Sequence, residues 1–130
     1  MMASYRPMTV AELAIHIREA ASPQLRWRLV REFLEEFKHE DTQSRQVLLT
    51  ESPQTTSDAR WDALLGAMTE HLAFHNTLRC PQWALDERSF LSTAWFLSDL
   101  PSVRAAAMET SPASFRRRAI FLERSDLDSA

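Results

Sequence analysis

One glycine in 130 residues is the tightest constraint on what this chain can fold into. Average usage would supply about nine. With Gly66 alone there is no G-x-G-x-x-G turn, no Walker loop and no G-x-S-x-G elbow, because each needs several glycines. Rossmann dehydrogenases, P-loop NTPases and α/β-hydrolases are excluded. Tight two-residue β-hairpins, which favour glycine at positive φ, are not expected either. The rest of the composition is that of an ordinary globular protein: 45% hydrophobic and 25% charged. A chain of this length builds one core. The expected fold is mostly α: a compact single-domain helical bundle over residues 1–130. Its C-terminal half should be aromatic-rich and irregular, with one short extended segment.

Helix signals dominate the first half. Thr9-Val10-Ala11-Glu12 is a capping-box pattern that opens a helix to about residue 20. Ser22-Pro23 places a capping serine before a proline at the first helical position, and the next helix runs to about residue 39. Leu25, Leu29, Val30, Phe33, Leu34 and Phe37 give it a wide apolar face. Val47, Leu48 and Leu49 read as a short helical turn before a polar linker, residues 50–57. Ser57-Asp58 then caps the longest helix, to about residue 76, with Trp61, Leu64, Leu65, Met68 and Leu72 as its stripe. Gly66 and Ala67 mark a place where a neighbouring helix can approach closely.

Beyond Cys80-Pro81 the pattern breaks into short clusters: Trp83, Phe90, Leu91, Trp95, Phe96 and Leu97. A short helix is expected over residues 102–109. Ser111-Pro112 repeats the serine-cap, proline-first device. Residues 119–122 read as a short strand or extended leg, and residues 125–130 as a final helical turn.

A net charge of −3 and a pI near 5.8 lack the basic footprint of a stand-alone nucleic-acid binder. The helix pair 9–20 and 23–39 imitates a helix-turn-helix. Its second member is too long and too apolar for a recognition helix, and its glutamates would face phosphates. Direct DNA binding is therefore not expected. A single cysteine, Cys80, forbids an internal disulfide and suits a reducing compartment. Residues 1–10 do not read as a signal peptide, and no stretch approaches a membrane span. The expected location is the cytoplasm.

His71 and His75, four apart on one helix, can face one metal ion, and Cys80 follows five residues later. The plainer reading is a hydrogen-bonded histidine bordering the core stripe. A thiol nucleophile at Cys80 has no helix N-terminus directly after it to lower its pKa. Arg116-Arg117-Arg118 is the one basic run, suited to phosphates or an acidic partner, or else a solvated helix end. Tryptophan and arginine are also the types enriched at interface hot spots.

The order of these features resembles a group of small actinobacterial proteins encoded beside nucleotidyltransferase-like toxins and regarded as their antitoxin or regulatory partners. The matching stretches are residues 25–37, Arg60-Trp61-Asp62-Ala63-Leu64-Leu65, Glu70-His71-Leu72-Ala73, Cys80-Pro81-Gln82-Trp83 and Ala94-Trp95-Phe96. They continue with Leu100-Pro101-Ser102-Val103-Arg104, residues 111–122 and Asp126-Leu127, spread over about residues 23–128. The resemblance implies a non-enzymatic protein without cofactor that binds and restrains such a toxin. Arg116, Arg117 and Arg118 would meet the toxin's acidic, metal-holding and nucleotide-holding residues. Trp83, Trp95 and Phe96 would be the apolar anchors. Similar proteins often carry an N-terminal helix-turn-helix domain that the matched stretch does not include, so DNA autoregulation is not carried over. Where the group has glycine after the arginines, this chain has Ala119, which counts against a tight turn there. The His75 position, often arginine in the group, counts against a metal. Two other classes remain open at this point: a small metal-dependent enzyme with Glu70 as base beside His71 and His75, and a structural homo-oligomer using the aromatic face on itself.

Overall fold

Capping side chains set where the first two helices begin in the computed structural model, which describes residues 6–127. Helix α1 is Val10–Glu19. The Thr9 hydroxyl accepts from the Glu12 N–H at 3.1 Å, and the Glu12 carboxylate accepts from the Thr9 N–H at 2.9 Å. Helix α2 is Pro23–Lys38, capped by the Ser22 hydroxyl on the Leu25 N–H at 3.1 Å. Val30, Phe33, Leu34 and Phe37 of α2 lie buried against Val10, Leu13, Ala14 and Ile17 of α1.

The expected short turn at residues 47–49 is in fact a full helix, α3, Thr42–Thr50. Its start was legible: the Asp41 carboxylate accepts from the Ser44 N–H at 2.8 Å. Arg45 on α3 donates to the Phe37 and Lys38 carbonyls at 3.1 and 2.7 Å, adding to the Glu40 N–H already on Phe37 and tying α3 to the end of α2. The segment that follows is held rather than loose. Pro53 and Thr56 are buried, and Asp62 accepts from the Thr55 hydroxyl at 2.6 Å and the Thr56 N–H at 2.7 Å.

Helix α4, Ala59–His75, is the central element, with Trp61 and the run 63–69 buried. Gly66 lets the stretch after Cys80 lie directly on it. That stretch forms two 3-10 turns, Gln82–Leu85 and Glu87–Ser89. A Cβ at Gly66 would meet the Ser89 Cβ and Oγ at 2.7 Å. The one glycine thus serves close packing, and the left-handed turn positions fall to Ser57, Thr77 and Ala119 at φ of 69, 56 and 65°.

Strand β1 is Trp95–Phe96 and strand β2 is Ile120–Phe121. They pair in parallel, Trp95 opposite Ile120 and Phe96 opposite Phe121. One extended segment was expected and two are present, because a lone strand leaves its backbone groups unpaired. Helices α5, Pro101–Thr110, and α6, Ala113–Arg116, lie between them in sequence. The Ser111-Pro112 device does not work as expected. Ser111 turns its hydroxyl to the Ile120 carbonyl at 3.1 Å, and Pro112 takes the capping position. The turn at Ala119 is present despite the missing glycine, its N–H donating to Arg116 O at 2.9 Å. A 3-10 turn at Arg124–Leu127 realises part of the final helical turn. The remainder, residues 128–130, and residues 1–5 lie outside the described residues. The molecule is mostly helical, and among the described residues no helix is long and apolar enough to cross a membrane.

Candidate partner-binding cleft

A cleft of about 830 Å³ opens where α2, α4, β1 and α5 meet, within the size range of ligand sites. Its rings come from both halves of the chain: Trp27 of α2, Trp61 of α4, and Trp95 and Phe96 of β1. Trp61 and Trp95 meet edge to face at 5.4 Å. Phe96 stacks on Phe121 at 4.9 Å.

An arginine lies over each wall. The Arg60 guanidinium is 5.3 Å from the Trp95 ring centre and Arg104 is 5.0 Å from that of Phe96. Arg26 is 5.8 Å from Trp61. Asp58, the N-cap of α4, positions two of them: Arg26 at 3.4 Å and Arg60 at 3.5 Å. Burial pushes the Asp58 carboxyl up, but the Arg60 N–H and the two guanidiniums outweigh it and hold it below its ordinary value. Arg104 pairs with the fully exposed Asp99 at 3.1 Å.

The sequence-nominated residues divide. Trp95 and Phe96 face the cleft. Trp83 does not: it is 7% exposed, and its indole N–H donates to the Leu49 carbonyl at 3.0 Å. The three arginines have three different fates. Arg116 is exposed and donates to the Met108 and Glu109 carbonyls at 3.1 and 3.0 Å, closing the end of α5. Arg117, about half exposed, pairs with Glu70 at 2.9 Å. Arg118 is 0% exposed. It donates to Glu70 at 2.6 Å, to the Ser114 carbonyl at 2.8 Å and to the Ala84 carbonyl at 2.6 Å, with its guanidinium 4.4 Å from the Phe90 ring centre. It is therefore inaccessible to a partner in this conformation.

Glu70 is the counter-ion of Arg117 and Arg118 rather than a carboxylate poised over water. The His71 and His75 rings stand 4.3 Å apart, and His71 also meets Phe115 at 5.9 Å. Burial, then the neighbouring His75 and Arg124, lower the His71 pKa to about 4, so it is neutral at pH 7. Burial, then the charge of Glu70, push the Cys80 thiol up, away from nucleophilic thiolate. Among the described residues no three His, Cys, Asp or Glu side chains come together as a metal site.

Sequence reasoning missed Trp27, Trp61, Arg60 and Arg104 as cleft residues. A signal was available in the adjacent pairs Arg26-Trp27 and Arg60-Trp61, which put a cation and a ring at neighbouring positions on two helices. Comparison with family models, with curated proteins and with solved structures finds no match.

Proposed function

We propose that this chain is a non-enzymatic binding protein, an antitoxin-like cytoplasmic regulator that binds and restrains a nucleotidyltransferase-like toxin. The observation that supports the binding part is the cleft: four aromatic rings and two half-exposed arginines converge on one opening. These are the residue types that carry most binding energy at protein interfaces. The toxin is named by the resemblance, not by the cleft. The contact residues in this reading are Trp27, Trp95, Phe96, Arg60 and Arg104, with Arg116 and Arg117 exposed on another part of the surface. Arg118 and Trp83 act from inside, holding the elements that carry the cleft.

Co-expression of the full chain with a nucleotidyltransferase-like toxin from its own organism tests the proposal. A stoichiometric complex and restored growth are the expected result. Trp95→Ala should weaken that complex at least tenfold. A toxin that kills regardless and never co-purifies overturns the proposal.

A further inference from the structure

The parallel pairing of β1 with β2 leaves one edge of β1 open. The Trp95 N–H donates to the Ala119 carbonyl at 2.8 Å and the Leu97 N–H to the Phe121 carbonyl at 3.2 Å. Backbone groups alternate along a strand, so the Phe96 N–H and C=O point away from β2. Among the described residues neither has a hydrogen-bond partner. Residues 94–99 line the cleft without interruption, so this edge runs along it.

Side chains also alternate, and the two faces of the edge are built alike. On one, Trp95 packs on Trp61 with Arg60 over its ring. On the other, Phe96 packs on Phe121 with Arg104 over its ring. Each face thus offers an aromatic wall and a cation. Both arginines are about half exposed: Arg60 shares the single carboxylate of Asp58 with Arg26 and meets it at 3.5 Å, and Arg104 meets the fully exposed Asp99 at 3.1 Å, with its Nε–H on the Ser98 carbonyl at 2.9 Å. Exposed pairs of this kind exchange readily for a better-placed carboxylate. The cleft is several side chains in volume, more than one inserted residue fills.

We infer that the cleft accepts an extended acidic segment of the partner protein, which adds a strand to the open edge of β1. Its backbone exchanges hydrogen bonds with the Phe96 N–H and C=O. Two neighbouring acidic side chains fall on opposite faces, one toward Arg60 and one toward Arg104. This is strand addition, in which the main chain supplies affinity and alternate side chains supply specificity. The inference rests on the partner-binding reading above.

Random decapeptides displayed on phage and selected against the full chain test it. The expected winners carry adjacent Asp or Glu with aromatic neighbours. A synthetic winner should lose at least tenfold in affinity when the one amide that faces the Phe96 carbonyl is N-methylated. It should lose at least tenfold again on Arg60→Glu/Arg104→Glu, and the milder Arg60→Gln/Arg104→Gln pair reads the same effect if charge reversal disturbs folding. An empty selection, basic winners, or a methyl scan without a sensitive position overturns the inference. If the toxin complex forms and is unaffected by both arginine pairs, strand addition falls while the partner reading stands. If N-methyl-sensitive acidic peptides bind but no toxin complex forms, the toxin identity falls alone.

Discussion

Ala119 and Thr77 sit in left-handed backbone at φ of 65 and 56°, where a Cβ is strained by about 1–2 kcal/mol. Glycine removes that strain but loses more chain entropy, so Ala119→Gly should stabilise by about 0.5–1 kcal/mol. Thermal unfolding should show a rise of about 2–4 °C. Thr77 closes α4, with the Leu78 N–H on the Ala73 carbonyl at 2.8 Å, and Thr77→Gly should act in the same direction. Gly66 is the opposite case. Alanine is the better helix former by about 1 kcal/mol, yet its Cβ would lie 2.7 Å from the Ser89 Cβ. Gly66→Ala should therefore destabilise by about 1–3 kcal/mol in urea unfolding, and Ser89→Gly should recover most of it. His71 gives a pH signature. Its folded pKa of about 4 lies below the ordinary 6.5, so the unfolded chain takes up the proton first. The stability it confers is complete above pH 6.5 and is lost as pH falls toward 4. Urea unfolding at several pH values should show the native protein losing about 2 kcal/mol more than His71→Gln across that window, after allowance for partial exposure. Parallel curves would refute this account of His71.

Helix starts were readable wherever a cap is local. Thr9, Ser22 and Asp58 each satisfy an N–H two or three residues ahead, so spacing alone locates α1, α2 and α4. Asp41 follows the same rule and was overlooked because α3 is polar at its start, with only Leu48 and Leu49 buried. Asp41→Ala should lower stability by about 1 kcal/mol and speed amide exchange across α3. Ser111 shows where the local rule fails. Its hydroxyl donates to the buried Ile120 carbonyl, nine residues away, instead of turning to accept from a helix N–H nearby. Strand β1 was illegible for a related reason: two residues have no periodicity, and only β2, 25 positions on, gives their backbone a partner.

Across the whole molecule one ion pair ties α4 to α6 and to the first 3-10 turn: Glu70 with the fully buried Arg118, whose two terminal nitrogens also reach the Ser114 and Ala84 carbonyls while its Nε–H has no partner among the described residues. Glu70→Ala would strand a buried cation and should destabilise by about 3–5 kcal/mol in denaturant unfolding. Glu70→Leu/Arg118→Met, which removes both charges, should lie much closer to the native protein. Three successive arginines look identical in a sequence, and their fates diverge only because Arg118 follows the last turn of α6 into the interior. The sequence by itself determined a mostly helical chain, the starts of its main helices and the apolar faces that meet in the core. These follow from contacts within a turn or two, where spacing is geometry. The cleft was decided only by tertiary structure. Trp27, Trp61 and Trp95 follow one another at intervals of 34 positions, with Arg104 nine beyond the last, and packing around Gly66 and the β1–β2 pairing bring them to one opening.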